Sequence, residues 1–236
     1  MKSMMQRIRR GLFFAAVATL IQLPGYAFAD QVFGDSFRAV STPNGILAPG
    51  VEIDCDLPHY RCLKNVGGSD GSGLCVFTSI EHFLDWFSMK EYLGFRKYME
   101  GRPGGGWPEK VTKELRAYCE KRKLEMPDIL QVTNGNIDLL AEAVQSGHMC
   151  GVTYCYSPTG RYNGQRIAHM VNCVGARVGP NKLWAILDNN YVKPEEGLIE
   201  WMDEATFKKV WLGNGGGWFI TVLNRPDPPP IPRNEE

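Results

Sequence analysis
The 236-residue chain has no excess of either charge: 26 Lys and Arg stand against 26 Asp and Glu. Without a basic surplus, there is no general electrostatic pull toward nucleic acid. The chain also lacks an uninterrupted apolar run of the roughly 20 residues needed to span a bilayer; its longest, residues 11–23, is broken by Gln22 and followed by Pro24 and Gly25. Histidine is scarce, with four residues, and no internal repeat is visible. No glutamine occurs between Gln31 and Cys75. With 44% apolar and 22% charged residues, whole-chain disorder is excluded.

Lys2, Arg7, Arg9 and Arg10 precede the apolar run, and Ala27-Phe-Ala29 places small residues where a signal peptidase reads. Residues 1–29 are therefore expected to be a cleaved signal, and the protein to be exported to the periplasm or the outside of the cell. The 207 residues left would carry 22 basic and 26 acidic side chains, a net of −4, with all seven cysteines retained.

Residues 30–64 read as an irregular extended segment, 65–224 as the folded domain, and the Pro-rich stretch 225–236 as a solvated tail. Val76, Phe77, Ile80, Phe83, Leu84 and Phe87 fall on one helical stripe, which predicts a buried helix starting at or just after Cys75. A second helix begins at Pro108 and a third is capped by Asn136. Beyond Gly147 short apolar runs at 150–156, 167–174, 184–187 and 218–223 predict strands, interrupted by a short helix near 203–212. Helices first and antiparallel strands second make an α+β protein with a helical and a sheet lobe.

Cys75 stands where a glycine-rich loop meets a helix N-terminus, whose free N–H groups and dipole favour a thiolate. A half-cystine or an inert buried thiol is the competing reading until a base is found. His82 lies on the same helix roughly 10 Å away by helical rise, too far for proton transfer. His59 sits in a Pro-His-Tyr turn and His148 at a helix end, both surface positions. His169, in a strand among apolar neighbours, needs ring partners. The next predicted strand runs into Asp188-Asn-Asn-Tyr191, where a side chain could accept the imidazole N–H; the same residues also suit a plain turn.

These segments together resemble the papain-like cysteine peptidases. Gly71-Ser-Gly-Leu-Cys75-Val-Phe-Thr-Ser79 is similar to the family's nucleophile segment, and Gly104-Gly-Gly-Trp-Pro108 to its glycine-rich stretch. His169-Met-Val-Asn-Cys-Val-Gly175 is similar to its histidine strand, and Trp184-Ala-Ile-Leu-Asp-Asn189-Asn-Tyr191 to its asparagine strand. The resemblance implies Cys75 as nucleophile, His169 as base, Asn189 as orienter and Tyr191 as the aromatic shield, in a papain-like fold acting on peptides or proteins as a monomer with no metal or cofactor. Asp188 leaves open a Cys-His-Asp arrangement, as in bacteriocin-leader peptidases and transglutaminase-like acyl transferases.

Two departures stand out. His169 follows Cys75 by 94 residues, against roughly 130–150 in the papain signature. The family's oxyanion-hole Gln has no counterpart; Ser69, Asp70 or Ser72 stands there, with Ser72 the candidate donor. Losing one such donor costs about 10²–10³ in turnover, so a weakly active or peptide-binding version of the fold is the alternative. Cys55, Cys62, Cys119, Cys150, Cys155 and Cys173 form an even set in an exported chain, which leads to the expectation of up to three disulfides. Cys55 and Cys62 bracket a turn and could close a local loop, whereas Cys150 and Cys155 share a strand and should not pair. A zinc site using His59 matches no usual spacing.

Overall fold
The structure, a computed structural model, describes residues 53, 55–67, 73–102, 105–177 and 182–223, all within one unit spanning residues 39–229. The expected signal segment, most of 30–54, the donor candidate Ser72 and the Pro-rich tail lie outside the described residues.

Helix α1 (Cys75–Trp86) starts at Cys75 and buries Phe77, Ile80, Phe83 and Leu84. Its N-cap, Leu74, has no side-chain acceptor, so no cap ties up the first-turn N–H groups. Helix α2 (Phe95–Met99) sets Phe95 edge-on against Phe77, with ring centroids 5.6 Å apart. Helix α3 (Pro108–Arg122) opens on a proline, whose missing N–H costs nothing there, and closes on Lys123 in the left-handed region.

Strand β1 (Ile129–Val132), which the sequence pattern does not announce, follows α3. Helix α4 (Ile137–Gln145) is capped by Asn136, whose side chain accepts the Leu139 N–H at 3.0 Å. The sheet then grows through β2 (Cys150–Tyr156), β3 (Arg166–Arg177), β4 (Leu183–Leu187), β5 (Ile199–Asp203) and β6 (Phe219–Val222). Helix α5 (Thr159–Tyr162) fills the β2–β3 connection, and α6 (Glu204–Leu212), capped by Asp203, follows β5. All pairings are antiparallel, in the order β1-β6-β2-β3-β4-β5.

The protein is thus α+β, with the helical N-terminal part and the C-terminal antiparallel sheet that the pattern predicts. The refinement is β1: it lies among the helices in the chain but pairs with the last strand, Ile129 opposite Val222. Helices α1 and α4 pack on β3, and α6 packs on β2. Phe207 of α6 stacks on Trp184 of β4 at 4.5 Å and on Trp211 at 5.4 Å. Among the described residues, no helix is long and apolar enough to cross a membrane.

The expected disulfides are absent: all seven cysteines are free thiols. Backbone carbonyls face the S–H groups of four of them. Cys55 faces Val174 O at 3.4 Å, Cys62 faces Leu57 O at 3.6 Å, Cys150 faces His148 O at 3.3 Å, and Cys173 faces Gly175 O at 3.7 Å. Burial pushes the Cys62 thiol up to about 12, which leaves it inert at neutral pH.

Candidate active site
Three elements converge. The N-terminus of α1 presents Cys75, the first half of β3 presents His169, and the turn leaving β4 presents Asp188. Each is almost wholly enclosed, with Cys75 and His169 both 8% exposed and Asp188 fully buried. Cys75 and His169 line the same cleft, and the ring is the side chain that draws the Cys75 thiol down. On the other side of the ring, Nε2 donates to Asp188 Oδ1 at 2.9 Å. An imidazole has two nitrogens, so this leaves Nδ1 for the sulfur.

The electrostatics agree with the geometry. Burial opposes ionisation of Cys75, but its hydrogen bond to His169, the imidazolium charge, and N–H groups of Met170 and Val76 outweigh it and hold the thiol below its ordinary value. Burial likewise opposes the charge on His169, and is overcome by the hydrogen bond and charge of Asp188 together with Cys75, so the ring is held well above the usual range. Asp188 itself is held low despite complete burial, chiefly by His169. All three shifts favour the charged forms, thiolate, imidazolium and carboxylate, which is the direction a sulfur nucleophile needs.

Asp188 is secured on all sides. Oδ1 also accepts the Asn190 backbone N–H at 2.9 Å, and Oδ2 accepts the Tyr162 hydroxyl at 2.7 Å, with Arg161 Nη1 3.8 Å away. Tyr162 in turn accepts from Asn190 Nδ2 at 2.9 Å.

Two expected roles are thereby reassigned. Asn189 does not touch His169: its amide Nδ2 points away, toward Cys75 O at 3.1 Å, Ser79 Oγ at 2.9 Å and Met170 O at 2.9 Å. Successive residues in the turn leave in different directions, and the one that meets the imidazole is Asp188. Asn189 ties the first turn of α1 to β3 and so fixes the spacing of Cys75 and His169. Asn189→Ala leaves buried carbonyls with fewer donors; it is expected to cost about 1–3 kcal/mol in urea unfolding, and a cost within error of zero would contradict this role. Tyr191 is not the immediate shield either. Its hydroxyl donates to Arg161 O at 3.0 Å and its ring meets Tyr162, whereas Tyr162 sits edge-on to His169 at 5.9 Å. No local signal marks Tyr162, Arg161 or Glu200, the last 3.6 Å from Arg161, as site residues: the first two lie in the one-turn helix α5, next to Asn163 and Gly164, and the third on a strand with no clear alternation.

The other histidines stay out of the chemistry. His82 is enclosed, its Nδ1 3.0 Å from Asn172 Oδ1 and its Nε2 accepting the Leu63 N–H at 2.8 Å, and burial pulls it down to about 4. His59 is exposed, and His148 bonds Ser146 Oγ at 2.9 Å. Among the described residues, no group of three His, Cys, Asp or Glu is placed to hold a metal ion.

A cleft of about 660 Å³ opens over Cys75 and His169. One rim is Gly105 and Gly106, the other Gly215 and Gly216. Gly106 is required by packing: a Cβ there would lie 2.6 Å from Val76 Cγ1, on the residue next to Cys75.

No family model matches the chain, and no curated protein matches it. Among solved structures, a candidate C39-like peptidase from Bacillus anthracis resembles it with a TM-score of 0.44 and 13% identity, over 70% of this chain and 94% of that one. The proform of the Amb a 11 cysteine protease, a major ragweed pollen allergen, resembles it with a TM-score of 0.47 and 16% identity, over 80% of this chain and 64% of that one. Likeness this distant assigns no activity or residue role to this chain.

Proposed function
We propose that the protein is an exported thiol peptidase of papain-like type that works through Cys75, His169 and Asp188. The observation that carries this is the His169 ring, bonded to Asp188 Oδ1 at 2.9 Å and sharing a cleft with the Cys75 thiol at the start of α1. The Cys75 thiolate attacks a peptide carbonyl, forming the C–S bond. N–H groups at the start of α1 face the developing oxyanion. Nδ1 of His169 gives its proton to the leaving amine as the C–N bond breaks. Water then attacks the thioester while His169 takes its proton, releasing the acid and restoring the thiol. Asp188 keeps the ring oriented and supports its positive charge throughout. Residues 1–29 act as the export signal.

The test is selective alkylation. Iodoacetamide near neutral pH is expected to label Cys75 ahead of the six other thiols, and Cys75→Ala to abolish hydrolysis of a general peptide substrate while leaving the unfolding midpoint nearly unchanged. An unlabelled Cys75, or full hydrolysis by the variant, defeats the reading. Because the third member is a carboxylate, acyl transfer to an amine is the second reading; amide product formed with an added amine would favour it.

A further inference from the structure
The cleft is lined largely by glycine backbone and neutral side chains such as Val76, Ile167 and Trp218. Arg166 brings a permanent charge to it, and among the described residues no Asp or Glu lines the cleft. In a regular strand Arg166, three positions before His169, would leave the opposite face. The β2–β3 ladder slips here: His169 lies opposite Tyr154 but Arg166 opposite Tyr156, so β3 takes three steps where β2 takes two. Such a bulge re-aims side chains. It returns Arg166 to the side of the sheet that carries His169, one pair along, about 7 Å by strand rise.

Four other arginines have carboxylate partners: Arg61 with Asp85, Arg96 with Glu100, Arg102 with Glu114, and Arg161 with Asp188. Arg166 is exposed and, among the described residues, has no carboxylate within ion-pair distance. Its charge is nonetheless felt inside the cleft, since it partly offsets the upward push of burial on the neighbouring Cys155 thiol. An unpaired guanidinium beside a reacting centre offers a planar fork that fits a carboxylate.

We infer that the cleft selects peptides with an aspartate or glutamate side chain within two residues of the bond cleaved, Arg166 binding that carboxylate. The inference rests on the peptidase reading above. An extended peptide advances about 3.3 Å per residue, which sets the two-residue reach.

The experiment uses paired fluorogenic peptides that differ only by Glu or Gln at each position from two residues before to two after the scissile bond. Wild-type protein is expected to favour Glu at one of these positions by roughly tenfold in kcat/KM, declining with salt. Arg166→Gln is expected to abolish the preference, and Arg166→Glu to reverse it toward the Gln peptide. The same peptides are titrated onto Cys75→Ala protein, where the Glu peptide should bind more tightly by a similar factor. Equal turnover and equal binding of Glu and Gln peptides, binding of neither, or a preference that survives Arg166→Gln would overturn the inference. A binding preference that requires Arg166, without hydrolysis by wild-type protein, would uphold it and defeat only the peptidase reading.

Discussion

Replacing Asp188 by leucine is expected to lower kcat/KM by about 10³–10⁴-fold, the scale of losing an oriented acid-base group. The carboxylate does two things for His169. It accepts the Nε2 proton at 2.9 Å, which fixes the ring, and its charge helps hold the imidazolium against burial. Asp188→Asn separates the two. The amide keeps an acceptor for the ring and the Asn190 N–H, so orientation survives, but the charge is gone. Turnover should then fall as well, and the pH dependence of Cys75 alkylation should move toward that of an ordinary thiol. The direction is fixed by coupling: with less support for the imidazolium, the thiolate loses its partner and the thiol rises. The same linkage acts on stability. His169 is raised, so its contribution is complete below the ordinary imidazole range and fades as pH climbs through its native value. Asp188 is lowered, so its contribution is complete above the ordinary carboxylate range and fades on acidification. In Asp188→Asn both slopes flatten. An alkylation profile unchanged by Asp188→Asn would show that Asp188 does not control the site.

The parts of this arrangement that could be read from residue order are those governed by local rules. The stripe from Val76 to Phe87 and the loop before it locate α1 and its reactive end, because helical period and a glycine-rich entry are both local signals. Pro108 and Asn136 announce helix starts for equally local reasons. What escaped is set by pairing across the fold. Strand β1 is four half-buried residues, recognisable only once β6 lies beside it. The choice between Asp188 and Asn189 turns on which way each leaves the end of β4, a matter of a single backbone step. The family resemblance pointed to the asparagine; in this chain the asparagine holds the helix and the aspartate holds the histidine. The disulfide expectation failed for a related reason: an even cysteine count says nothing about where each thiol points, and here the carbonyls of β3, the Leu57 turn and His148 face four of them.

Arg161→Met is expected to destabilise the protein by about 3–5 kcal/mol, the usual consequence of removing one partner from a buried ionic group. Arg161 is 4% exposed by side chain and lies between two carboxylates, 3.8 Å from Asp188 Oδ2 and 3.6 Å from Glu200 Oε2. Its Nη2 donates to Gly197 O and its guanidinium covers the Tyr191 ring at 4.6 Å. Neither Nε nor Nη1 makes a well-directed hydrogen bond, so the group acts mainly through its charge. Without it two buried carboxylates would face each other. Glu200 would yield first, because burial already raises it to about 7, Arg161 lowers it and Asp188 raises it. A carboxyl held above its unfolded value favours the native state when protonated, so its ionisation opposes folding as pH rises from the ordinary glutamate range through the native value. Removing Arg161 lifts that native value further. The deficit of Arg161→Met should therefore be small at pH 5 and grow toward pH 8, and adding Glu200→Gln should recover much of it. Urea unfolding of the single and double variants at both pH values measures this. A deficit that does not depend on pH would mean that Arg161 stabilises the site by packing against Tyr191 and not by neutralising Asp188 and Glu200.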